Sequence, residues 1–177
     1  MPAALALAVA LAGPAALPPR NAEVVQLLRD ACVTTEMRRD AFEQLARSRR
    51  WVSASRRSES ASGGWSVMYR AGDAVVMLVN AGAIGDGDRS VGSVCTVGVQ
   101  DPEDGLSGAV GVLAESLGLT AETEPLQLGG EGTRAWSTLG RHTLIYSTAH
   151  SGPAVSISLS RQYVVEGPAP AVSAGGQ

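Results

Sequence analysis

The chain has 177 residues, 45% hydrophobic and 4% aromatic, so it can fill one domain whose core must be built mostly from Val, Leu, Ala and Ile. That hydrophobic share argues against a disordered chain. Net charge is −3, with ten Arg against six acids over residues 20–70 and four Arg against eleven acids over 71–177, an acidic balance that argues against a nucleic-acid partner.

Residues 1–17, "MPAALALAVALAGPAAL", read as a secretory signal peptide. Ala3–Ala12 has the length of the apolar stretch of such a signal, and Gly13, Ala15 and Ala16 supply small residues for cleavage. The run is short for a membrane span, which needs about 20 apolar residues. It also lacks the polar face of a surface helix. It departs from the usual signal in having no Lys or Arg ahead of the apolar run. The expected organisation is a signal peptide over 1–17, one α+β domain over 18–165 and a flexible tail over 166–177. The expected location is the periplasm or outside the cell, with no membrane span after signal removal.

Asn21 can cap a helix over 22–32, with Glu23 in its first turn and Val24, Leu27, Leu28, Ala31 and Cys32 on one apolar face. Met37, Ala41, Phe42 and Leu45 predict a second helix over about 36–47. "RSRRWVSASRR", residues 47–57, concentrates five Arg and opens toward a strand. Within it Arg49, Arg50, Trp51, Arg56 and Arg57 are candidates for contact with another exported or envelope protein. The plainer reading is a solvated, arginine-rich loop.

"WSVMYR" alternates as a half-buried strand, "AVVMLV" reads as a central strand, and "SVGSVCTVGV" places Val91, Ser93, Cys95, Val97 and Val99 on one face. Asp101 before Pro102, followed by Glu103 and Asp104, predicts a helix start there. Leu106, Val110, Leu113 and Leu117 form its stripe, and Gly118 fits the position just past its end. Gly105, Gly108 and Gly111 weaken the helix, which a close approach to the sheet would offset. Three more strands follow at about 133–139, 142–149 and 154–162, joined by turns at Gly140-Arg141 and "HSGP". Val155, Ile157 and Leu159 alternate with Ser156, Ser158 and Ser160, so one sheet face is wet. The order predicts an α+β fold: two N-terminal helices and an antiparallel sheet of about six to seven strands interrupted by one long helix.

The chain has two cysteines, Cys32 and Cys95. A redox pair would usually show C-x-x-C. A metal site needs three or four ligands at tight spacing, and His142 and His150 are remote from both. In an oxidising compartment the simplest arrangement is one Cys32–Cys95 bridge, with a reactive thiol as the alternative.

Other chemistry is sparse. There is no lysine, hence no phosphate loop ending in Gly-Lys, and no G-x-S-x-G elbow. "GDGDRSV" has Asp86, Asp88 and Ser90 at calcium-loop spacing but Val91 at the sixth place and Val97 at the twelfth, so it fails as such a loop. No cofactor or metal is expected. His142 and His150 are the only bases for a hydrolase, and both flank hairpin turns. Trp51, Trp65 and Trp136 either line a groove or pack at sheet edges.

An export signal, Cys32 in an early helix, then "AFEQLA", a nearby Trp51 and a strand with "VCTV" together resemble a group of small exported bacterial proteins of unassigned activity. The resemblance covers roughly residues 20–100 and implies that Cys32, Phe42, Trp51 and Cys95 are framework residues. The expected function is non-catalytic binding, as an accessory or inhibitor-like protein. The alternatives are a small-molecule carrier with a cavity between the glycine-faced helix and the sheet, and a hydrolase using His142 or His150.

Overall fold

The computed structural model describes residues 18–55, 58–59, 64–84, 90–122, 132–138, 142–148 and 153–164. Helix α1 (Pro19–Leu28) runs on as a π-helical segment, Arg29–Thr34, and is followed by α2 (Arg39–Ser48). Strands β1 (Val52–Ser53), β2 (Ser58–Glu59), β3 (Trp65–Ala71), β4 (Ala74–Ile84) and β5 (Ser90–Val99) precede helix α3 (Leu106–Ser116). Strands β6 (Thr120–Ala121), β7 (Arg134–Thr138), β8 (His142–Thr148) and β9 (Val155–Val164) complete the fold. The strands form a single antiparallel sheet in the order β1-β3-β4-β5-β9-β8-β7-β6, with β2 also pairing β3. None of the described helices is long and apolar enough to cross a membrane.

The described residues thus hold three helices and nine strands, against the expected six to seven. The excess comes from β2 and β6, each of two residues and too short to show any alternation. The signal region 1–17, the tail 166–177, the turns at Gly140-Arg141 and 149–152, and Asp86 and Asp88 lie outside the described residues.

Strand parity builds the core. Val67 of β3, Ala74, Val76 and Leu78 of β4, Cys95, Val97 and Val99 of β5, and Val155, Ile157 and Leu159 of β9 all face the helices and are buried. Leu28, Phe42, Leu106, Val110 and Leu113 close that layer from above. The opposite face carries Ser156, Ser158 and Ser160, and Ser158 shares a hydroxyl hydrogen bond with Thr96 at 2.9 Å. This is the division of an antiparallel sheet with one face packed and one wetted.

Cys32 and Cys95 are joined, with Cα atoms 5.5 Å apart and both residues buried. Cys95 sits between Leu78 of β4 and Leu159 of β9, so the bond anchors the helical layer to the middle of the sheet.

Two helix starts differ from expectation, and one contact explains both. Helix α1 begins at Pro19, so Asn21 lies inside it rather than at its cap. Asn21 is fully buried, and its amide donates to the carbonyls of Glu103 (3.2 Å) and Asp104 (2.9 Å). Arg20 donates to the carbonyls of Asp101 (3.0 Å) and Gln100 (2.9 Å) and to the Asp73 carboxylate (2.6 Å). The carbonyls that would begin a helix at Pro102 are therefore engaged by α1. Asp101 and Gly105 are left-handed, at φ 46° and 86°, and α3 starts only at Leu106.

The glycines of α3 divide in role. A Cβ on Gly111 would lie 3.4 Å from Cζ2 of Trp136, so the helix does approach the sheet there. A Cβ on Gly108 would meet nothing within 4 Å. Gly118, at φ 72°, ends the helix in a Schellman motif: its N–H donates to Glu115 and the Leu119 N–H to Ala114. Helix α2 ends the same way, but with Arg50 as the left-handed residue at φ 57°; Arg50 donates to Arg47 and Trp51 to Ala46.

A side chain in the left-handed region costs about 1–2 kcal/mol where glycine costs little. Arg50→Gly is therefore expected to stabilise the fold by about 0.5–1 kcal/mol, after allowing for the freer unfolded chain. A fall in the midpoint of urea unfolding would contradict this. The double replacement Cys32→Ala/Cys95→Ala frees a loop of 63-residue separation. Chain entropy then predicts a loss of about 4 kcal/mol, read as a lower denaturation midpoint matching that of the reduced protein.

Candidate functional site

A cavity of about 350 Å³ opens beside the disulfide, lined by Cys32, Val33, Glu36, Met37, Leu117, Leu119, Leu159 and Arg161. Three structural features bring these residues together. The disulfide holds the π-helical segment against β5 and thereby sets Val33 at one wall. The Schellman turn after α3 folds Leu119 back toward the core, where it is 6% exposed. Strand β9 presents Leu159 and Arg161 from below, two residues apart on the helix-side face.

The fourth wall is a tight turn. Thr35 Oγ1 donates to the Ala31 carbonyl at 2.5 Å and closes the π-helical segment. Glu36 and Met37 are both left-handed, at φ 53° and 54°, and the Glu36 N–H donates to the Val33 carbonyl. Two consecutive non-glycine residues in that region store backbone strain, and such residues cluster where chains clamp or contact ligands. The turn buries Met37 and leaves Glu36 exposed on the cavity rim.

Strand register adds a polar border. The apolar row Leu78–Cys95–Leu159–Leu144 crosses the helix-side face of the sheet. The row beyond it pairs Asn80 with Ser93, Ser93 with Arg161, and Arg161 with His142. Asn80 donates from Nδ2 to the hydroxyl of buried Ser93 at 3.2 Å. The cavity thus lies where the apolar core meets a polar row, with Arg161 common to both. Its apolar walls and two charged groups suit a small molecule with an apolar body and a polar end. No group of three His, Cys, Asp or Glu capable of holding a metal occurs among the described residues.

The residues singled out in the sequence are spread more widely. Arg49 reaches Asp30, Nη2 to Oδ2 at 2.7 Å. Trp51 packs against Phe42 and Tyr69, with ring centroids 6.1 and 6.5 Å apart. Arg50 is the exposed left-handed residue of the α2 cap, and Arg56 and Arg57 lie outside the described residues. The stretch expected to be an arginine-rich loop is thus, through Trp51, the end of a helix and its cap. Trp65 lies under the Arg39 guanidinium at 5.1 Å, while Trp136 packs beneath Gly111 toward the other end of the strand order, on β7. The three tryptophans therefore do not share a groove. His142 opens β8, and His150 lies outside the described residues.

Sequence reading did not single out Val33, Glu36, Met37, Leu119 or Arg161 as site residues. One signal was available: Arg161 continues the inward alternation of Val155, Ile157 and Leu159, where another apolar residue would be expected. No family model, no curated protein and no solved structure matches the chain.

Beyond the cavity, the phenol of Tyr146 is perturbed. Tyr146 of β8 faces the core at 8% exposure. Burial pushes its phenol above the ordinary value of 10.0, and the Arg134 guanidinium, its register partner, partly offsets this. The unfolded chain therefore loses this proton first. Its contribution to stability is complete below pH 10 and falls as pH rises above it. Thermal midpoints are expected to drop more steeply between pH 9.5 and 11, as ~half-unit steps would resolve, in the wild type than in Tyr146→Phe. Identical slopes would contradict the assignment.

Proposed function

We propose that the protein is an exported, non-catalytic binding protein that holds a small amphipathic molecule in the cavity between the π-helical segment, the end of α3 and β9. The observation that carries this reading is the cavity itself: about 350 Å³, walled by Val33, Met37, Leu117, Leu119 and Leu159, with Glu36 and Arg161 as its charged groups. Ligand sites of this kind span roughly 300–1,000 Å³ and combine apolar walls with a few polar groups that orient the ligand. The size points to a compact ligand rather than a long lipid.

This reading develops the carrier alternative and relocates its site. The cavity lies at the C-terminal end of α3, while Gly111 on the helix body packs against Trp136. Export is supported by the apolar run at residues 1–17 and by the buried disulfide, a bond that persists in oxidising compartments. The resemblance to small exported bacterial proteins points the same way. Binding through the arginine-rich stretch is supported less well, because Arg49 and Trp51 are engaged within the fold.

N-phenyl-1-naphthylamine, a neutral and fully apolar fluorophore, tests the cavity directly. The oxidised protein is expected to give a saturable fluorescence increase at one equivalent. Val33→Trp, which fills the cavity from a half-buried wall, is expected to abolish that increase while the thermal midpoint changes by no more than about 1 kcal/mol of stability. Fluorescence that survives Val33→Trp unchanged would overturn the assignment.

A further inference from the structure

The sheet face turned away from the helices carries little charge. Strand pairing lays one row straight across it: Met68, Met77, Thr96, Ser158, Ile145 and Ala135, on β3, β4, β5, β9, β8 and β7. Val75 and Val94 lie in the rows on either side. Val52, 66% exposed, extends the face at β1 through its pairing with Arg70. Hydroxyls on this face are turned onto the sheet itself. Thr96 and Ser158 bond each other at 2.9 Å, and Ser160 donates to the Thr143 carbonyl at 3.2 Å. An antiparallel sheet that faces water normally turns polar side chains outward. Among the described residues of the paired strands, the only charge on this side is Arg70 of β3, which is exposed. Glu122, just past β6, brings a carboxylate to the opposite rim, where the Ser137 hydroxyl of β7 donates to it.

From this geometry we propose that the face joins two copies of the chain, packed sheet to sheet about a two-fold axis parallel to the strands. A two-fold interface must be complementary to itself. An axis between β5 and β9, at the middle of the row, meets that condition. It lays the large Met68 over the partner's Ala135, and Met77 over the partner's Ile145. The Thr96–Ser158 pair meets the same pair reversed, with its hydroxyls already satisfied. Arg70 arrives at the rim that carries the partner's Glu122, one row away along the strand. Rows are about 7 Å apart, within reach of an arginine side chain. Symmetry repeats this contact at the other rim, so opposite charges close both ends of an uncharged centre. The six strands and three rows span about 29 by 20 Å, close to 600 Å² on each copy. Two such faces bury more than the roughly 1,000 Å² that a specific interface requires. The cavity lies on the helix side of the sheet, so this inference is independent of the ligand.

Sedimentation velocity of the oxidised full chain, run over a concentration series, tests this. The wild type is expected to sediment as a dimer that dissociates on dilution. Met77→Arg places a charge at the centre of the face and is expected to abolish the dimer. Arg70→Glu sets two carboxylates together at each rim and is expected to weaken dimerisation by about tenfold or more. The double exchange Arg70→Glu/Glu122→Arg is expected to restore it. Arg70 and Glu122 are both exposed, so these variants keep the test decisive should Met77→Arg fail to fold. A wild type that stays monomeric at about 0.5 mM, where even a millimolar interface would register, would overturn the proposal. A dimer that neither Met77→Arg nor Arg70→Glu weakens would overturn it as well. So would a monomer that cosediments with neutral phospholipid vesicles, which would assign the face to a membrane surface.

Discussion

The covalent bond between Cys32 and Cys95 is the constraint on which the rest of the architecture depends. It crosses from the helical layer to the centre of the sheet, where Cys95 has a paired strand on each side. A sheet of this kind has one apolar face, and that face must be covered. The helices that cover it here are short. Helices α1 and α2 have ten residues each, and α3 has eleven. Helices of that length derive most of their stability from packing. A bond that limits how far the first of them can move in the unfolded chain therefore acts on the whole interface.

Two further contacts work with the bond. Arg20 and Asn21 hold the chain that leaves β5 by four of its carbonyl groups. Phe42, Trp51 and Tyr69 form an aromatic cluster that seats α2 over β3. The helical layer is thus fastened at its start, its middle and its end. The cavity lies beside the middle fastening, where the π-helical segment, a strained turn and the end of α3 meet over β9. The same bond that secures the helical layer also defines one wall of the proposed site.

Much of the fold was legible in local patterns. Val155, Ile157 and Leu159 alternate with serines, and their burial follows that alternation. Cys95 shares parity with Val97 and Val99, and all three face the core. Gly118 closes α3 because glycine alone enters the left-handed region at little cost. Other features were not legible. Asn21 has the chemistry of a helix cap and serves instead as a buried clip to Glu103 and Asp104. The Asp-Pro-Glu-Asp sequence has every local mark of a helix start, yet its carbonyls are held by α1. The two-residue strands β2 and β6 have no period to detect. Arg161 was visible only as a break in an apolar alternation.

The sequence by itself determined which face of each long strand and helix turns inward, because side-chain period is a property of neighbouring residues. It also determined that two thiols would have no nearer partner than each other. Only the tertiary structure decided where α3 begins, which strands are neighbours, and that Cys32, Glu36, Leu119 and Arg161 surround one space. Those outcomes depend on contacts between residues far apart in the chain, such as Asn21 with Asp104 at a separation of 83. No local pattern encodes such a contact, because its free energy exists only once both segments have been brought together.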